Sequence, residues 1–206
     1  MNFSKLNIVS ITILGMILIF GITAINDSFD LTKSVPFALA IFTLISQLVL
    51  IFVLFTILIR EEDQRILGVR KQITQNAQKL ALIVSSTGMM GSLFMQFVVG
   101  WEPCELCWFQ RIFMYPIPII LLHSIIEKRN GLKIAFPLAI IGGIIAAYHY
   151  GVQFFNLASV CQITSGTSEC ALKMYAPFGY ITIPMMALSA FVIIGVLHKL
   201  SEKETI

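Results

Sequence analysis

Long apolar runs separated by short polar breaks set the pattern of this chain. Residues 7–25, 36–59, 80–100, 108–126, 134–155 and 178–198 are each about as long as one helical crossing of a bilayer requires, roughly 20 apolar residues. The pattern predicts six transmembrane helices. The first run follows Lys5 and lacks the short apolar core and small-x-small cleavage site of a signal peptide, so it is expected to be retained. Runs 7–25 and 36–59 contain no cysteine, histidine or charge, and packing and anchoring are all they predict. Between them and the rest, residues 60–79 mix Arg60, Arg65, Arg70, Lys71 and Lys79 with Glu61, Glu62 and Asp63, while Ile66, Leu67, Val69 and Ile73 recur at helical spacing. That predicts an amphipathic helix lying in the membrane interface.

The later runs carry more detail. Ser85, Ser86, Gly88, Gly91 and Ser92 in the third allow close helix approach in lipid. Pro116 and Pro118 predict a kink in the fourth, and Pro184 falls inside the sixth. The fifth contains Gly142-Gly143 and, near its far end, His149. A polar turn, 127–133, precedes it, and a loop, 156–177, follows it with Cys161 and Cys170. The organisation expected is a two-helix extension (1–60), an interfacial linker (61–79), a four-helix unit (80–198) and a polar tail (199–206).

Composition agrees with an all-α, polytopic membrane protein: 57% of residues are hydrophobic, 12% are charged and mean hydropathy is +0.88. A soluble domain carries about 25% charged residues. The net charge of +3 points to no nucleic acid, because the basic residues sit in short inter-helix segments and not on an aromatic-interleaved patch. Of 14 lysines and arginines, all but Lys33, Arg111 and Lys173 fall in segments on one side of a six-span topology. The positive-inside rule makes that side, with both termini, cytoplasmic. All four cysteines then lie at or beyond the outer interface, where disulfides persist.

The candidate chemistry centres on Cys104-Glu-Leu-Cys107-Trp-Phe-Gln-Arg111. A polar break ends here and an apolar run begins, so Cys107 falls in the first turn of a membrane helix. The partial positive charge of a helix N-terminus stabilises a thiolate. Arg111, four residues on, shares the Cys107 face of the helix. An arginine at this depth costs about 3 kcal/mol on insertion scales, which calls for an anionic or hydrogen-bond-accepting partner. The competing reading is an arginine that snorkels to the headgroups beside structural cysteines. Zinc is disfavoured, because eight residues separate Cys161 from Cys170 where zinc ligands are usually two to four apart.

A Cys-x-x-Cys-x-x-x-Arg segment in an outer break, a histidine at the outer end of a later helix, and a second cysteine pair in the following outer loop together resemble the DsbB family of disulfide bond formation proteins. Tyr148-His149-Tyr150 is similar to a segment of its BdbC-like branch. The resemblance covers about residues 80–198. It implies a four-helix bundle in a bacterial cytoplasmic (inner) membrane that reoxidises a soluble, thioredoxin-fold, DsbA-like thiol oxidase and passes the electrons to a membrane quinone, ubiquinone or menaquinone. It further implies disulfides Cys161–Cys170 and Cys104–Cys107, attack by the partner at Cys161, transfer from Cys170 to Cys104, and donation to quinone from Cys107. Arg111 and His149 would bind the quinone.

A quinone also suits the energetics. DsbA has a known potential of about −120 mV, so glutathione, near about −220 mV, lies about 100 mV uphill, or roughly 5 kcal/mol. Two features depart from the family: the first two spans lie outside its four-helix core, and the Cys161–Cys170 spacing is short. Two other classes stay open. A vitamin K epoxide reductase type enzyme also uses a loop pair and a membrane CxxC, but there the loop pair comes first. A scaffold with structural disulfides would need no arginine beside Cys107.

Overall fold

The computed structural model describes residues 31–59, 64–155, 170 and 175–203, and these are helical apart from short breaks. Among the described residues seven helices run in order: α1 (Leu31–Ile59), α2 (Gln64–Gln75), α3 (Ala77–Phe97), α4 (Glu105–Met114), α5 (Pro116–Ile126), α6 (Leu132–Phe155) and α7 (Ile183–Lys203). Among the described residues five spans are long and apolar enough to cross a membrane, with α4 and α5 together forming one of them, Glu105–Ile126. The expected span 7–25 and Cys161 lie outside the described residues.

The bundle is α3, α4 with α5, α6 and α7, and α6 and α7 share its largest interface. Small residues make that contact possible. Ala135, Ala139 and Ala146 of α6 are buried, and a Cβ on Gly142 would collide with the buried Phe191 ring of α7. Lipid tails give apolar side chains no reason to prefer one another, so backbone proximity and dispersion have to hold such helices together. Large apolar side chains such as Ile119, Ile126, Ile144 and Phe155 point outward, as lipid contact requires. Helix α1 lies on the outside of this bundle and packs on α7 and α3.

Several element boundaries differ from the sequence reading, each for a local reason. The region 60–79 is not one helix: α2 stops at Gln75, and Lys79 already belongs to α3. Asn76 makes the break, its side-chain Nδ2 donating to the Gln72 carbonyl at 2.9 Å in competition with the backbone ladder. The kink expected from Pro116 and Pro118 is a helix break at Tyr115, whose own N–H still caps α4 through the Arg111 carbonyl at 2.9 Å. The last span starts at Ile183, not at 178, because Phe178 and Gly179 both adopt left-handed backbone conformations, φ 59° and 80°. Pro184 therefore sits at the helix start, where its missing N–H costs nothing. At the other end α7 takes in part of the expected tail, up to Lys203. Residues 31–35, expected in a polar turn, already belong to α1.

Candidate active site

Cys104 is the N-cap of α4, with extended backbone (φ −66°, ψ 169°), and its carbonyl accepts the Trp108 N–H at 3.1 Å. Cys107 follows in the first turn, where backbone N–H groups lack intrahelical acceptors. Both thiols are free and partly buried, with their Sγ atoms 3.1 Å apart. At that contact, loss of two electrons and two protons closes a disulfide with little movement of the backbone.

His149, on α6, is only 1% exposed. Its Nδ1 faces the Gln110 amide nitrogen at 2.9 Å, and its Nε2 lies 3.1 Å from the Cys170 carbonyl and 3.8 Å from Cys104 Sγ. A carbonyl can only accept, and the amide nitrogen of Gln110 can only donate. The proton is therefore assigned to Nε2, and the imidazole presents an N–H to both the Cys170 carbonyl and the Cys104 sulfur. Cys170 is disulfide-bonded, wholly buried, and packed on Leu106 with Cys104 and Ile145 against the same cluster.

The groups that favour a thiolate thus converge on Cys104. Its pKa is held well below the usual thiol range, first by the hydrogen bond with Cys107, against the opposing effect of burial, and then by the hydrogen bond from His149. Alkylation of Cys104 should accordingly stay at its plateau rate at pH values far below about 8.5, where a free cysteine is protonated. Cys107→Ala removes the leading cause and should move the profile upward. Rate-against-pH curves for the two proteins check this, and a wild-type midpoint near about 8.5 would contradict it.

Cys104, Cys107 and His149 also place their donor atoms within 4.8 Å of one another, a set that resembles a zinc site. Both ring nitrogens of His149 are already engaged, however, Nδ1 by Gln110 and Nε2–H by the Cys170 carbonyl. The set therefore fits thiol chemistry better than metal binding.

Arg111 does not reach for the headgroups. Its guanidinium donates to Gln96 Oε1 and, at 3.2 Å, to the Ser92 carbonyl, both on α3, and stacks 5.1 Å over the Trp108 ring. It opens on a cavity of about 480 Å³ that Cys104, Cys107 and His149 also line. That volume lies within the usual range for small-molecule sites. Thr182 lines the same cavity; it is 2% exposed, and its Oγ1 has no hydrogen-bond partner among the described residues.

Cys104, Cys107, Arg111 and His149 meet at this cavity, and Cys170 packs beside it. His123, exposed on α5, and His198, buried against Phe136, take no part in it. Gln96, Gln110 and Thr182 were missed from sequence. For the two glutamines the available signal was an amide inside an apolar run, a group that needs a partner in hydrocarbon.

An all-helical membrane bundle that sets a contact pair of thiols at a helix start, beside a third, disulfide-bonded cysteine, defines a membrane protein of thiol–disulfide chemistry. The chain belongs to the DsbB family: the family described as "Disulfide bond formation protein DsbB" matches residues 75–200. The SPbeta prophage-derived disulfide bond formation protein B of Bacillus subtilis is 44% identical over 117 residues, 56% of this chain and 78% of the relative. Disulfide bond formation protein C of the same organism is 38% identical over 114 residues, 54% of this chain and 82% of its own length. The "Probable disulfide formation protein" of Oceanobacillus iheyensis is 37% identical over 141 residues, which is 65% of this chain but 96% of the relative. No solved structure matches the chain. As a disulfide formation protein of this family it is an oxidoreductase, and α1 precedes the matched residues.

Proposed function

We propose that this protein reoxidises a soluble, DsbA-like thioredoxin-fold partner and delivers the electrons to a membrane quinone. The observation that carries the reading is His149, which joins the Cys170 carbonyl to the Cys104 sulfur and lines the same cavity as Arg111. In the proposed relay a partner thiolate attacks Cys161 of a Cys161–Cys170 disulfide, giving a mixed disulfide and freeing Cys170. The second partner thiol then releases the oxidised partner. Burial of Cys170 supports attack at Cys161, since a soluble protein cannot reach a sulfur with no exposed surface.

The Cys161 and Cys170 thiols next reduce a Cys104–Cys107 disulfide, with Cys170 attacking Cys104. This attack forms a Cys170–Cys104 mixed disulfide and releases Cys107 as the thiolate. Cys161 then attacks Cys170, restoring Cys161–Cys170 and releasing Cys104, whose thiolate His149 Nε2–H is suited to stabilise. The reduced Cys104–Cys107 pair regains its disulfide by giving up two electrons and two protons, which a quinone supplies the capacity to accept. The cavity fits such a molecule by its size, its mostly apolar lining, the Arg111 guanidinium and the Thr182 hydroxyl, which has no partner among the described residues; a carbonyl-bearing ring can accept from both.

We place the protein in the bacterial cytoplasmic membrane, with both termini cytoplasmic and the cysteines outside, on the basis of its basic-residue distribution. The deciding assay supplies purified protein with a reduced thioredoxin-fold oxidase. Catalytic reoxidation is expected only when a quinone is added. Equal rates without quinone would overturn the reading.

A further inference from the structure

Helix α1 is foreign to the matched family region, yet it walls the cavity that holds Arg111 and Cys107. The alignment with the Oceanobacillus iheyensis relative takes in 96% of that protein but 65% of this chain. Leu39, Phe42, Thr43 and Ser46 line the cavity. Their spacing of three, four and seven residues makes them one stripe of the helix. On the other face Leu48, Ile51, Phe52 and Phe55 are exposed where lipid would lie.

Specific contacts hold α1 in place. The Gln47 amide donates to Ser189 Oγ on α7 at 2.7 Å and accepts from the Tyr180 hydroxyl at 3.1 Å. Phe37 stacks on Phe178, with ring centroids 6.1 Å apart. Leu39 comes so close to α3 that a Cβ on Gly91 would lie 2.8 Å from its Cδ1. An amide in hydrocarbon has no water to turn to, so the Gln47 bonds fix both the rotation and the depth of α1.

We infer that α1 is a built-in wall of the quinone chamber: Leu39, Phe42, Thr43 and Ser46 contact the bound quinone, and Gln47 latches the wall shut against α7. This rests on the quinone reading above. The wall closes the space between α3 and α7, so it limits which ring substituents and tails are admitted and makes this chamber narrower than one open to lipid on that side.

Two measurements on the full chain in membranes or detergent test it. An azido-substituted quinone photolysed with wild-type protein should label the peptide containing residues 39–46, and excess unmodified quinone should suppress the label. Ser46→Phe, which fills the chamber, should raise the quinone KM about tenfold or more, because the added ring takes up space the ligand needs. Gln47→Leu should raise it less and should broaden acceptance of bulkier quinones, whereas Phe52→Ala on the lipid face should leave KM unchanged. Label confined to other helices, or a wild-type KM in Ser46→Phe, would overturn the inference while leaving quinone reduction intact. A wild-type protein that reduces neither ubiquinone nor menaquinone analogues and takes no label at all would instead remove the quinone reading itself.

Discussion

Cys107→Ser is expected to abolish steady-state reoxidation of the thiol partner while leaving the loop cysteines able to form a mixed disulfide with it. The two sulfurs at 3.1 Å act as one two-electron unit, and with a hydroxyl in place of one thiol the pair cannot close. Nothing else in the cavity can take over, because the described residues lining it include no other sulfhydryl. The loss should approach the background rate, the largest effect expected of any single substitution. Steady-state oxygen-coupled or quinone-coupled assays give the first half of the result, and non-reducing electrophoresis with a reduced partner gives the second. A Cys107→Ser protein that still turns over would end the relay as proposed. In the companion variant Cys170→Ala the Cys161–Cys170 disulfide cannot form, so a reduced partner has no bond to attack and reoxidation should likewise fall to background.

Arg111 should show the second largest effect. A charge-assisted hydrogen bond from its guanidinium to the proposed quinone's carbonyl would contribute on the order of 1.5 to 3 kcal/mol, about 10- to 100-fold in affinity or rate. Arg111→Met removes it entirely. Arg111→Lys keeps the charge but replaces the planar fork of donors that spans Gln96 Oε1 and the Ser92 carbonyl with one compact ammonium, so its defect should be smaller and fall mainly on the quinone KM. Gln96→Leu leaves the cation in place and frees it to move, and it too should raise KM, by less than Arg111→Met. Quinone titrations at equal protein levels decide the order. Curves that coincide for wild type and Arg111→Met would show that the guanidinium serves only to join α4 to α3.

Run length and residue spacing were enough to determine an all-helical membrane protein, since only a helix satisfies every backbone polar group within one segment of a bilayer. They also put Cys107 at a helix start and Arg111 one turn below it, because a four-residue step on a helix returns to the same face. The order of the cysteines, the arginine and the histidine was sufficient to recognise the family, which the match over residues 75–200 establishes. Every one of these is a local property.

What tertiary structure decided is the pairing between helices. Arg111 finds Gln96 fifteen residues earlier, Gln110 finds His149 thirty-nine residues later, and Gln47 finds Ser189 across 142 positions. Hydropathy treats each of these amides as a defect in an apolar run and says nothing of its partner. Because lipid is as apolar as the side chains facing it, helix docking depends on shape and on a few hydrogen bonds, neither of which has a period in sequence. For the same reason the run 36–59 predicted only an anchor, while in the fold α1, which carries it, forms one side of the cavity. Its cavity-lining stripe differs from its lipid face by little in polarity, and only the packed bundle distinguishes the two.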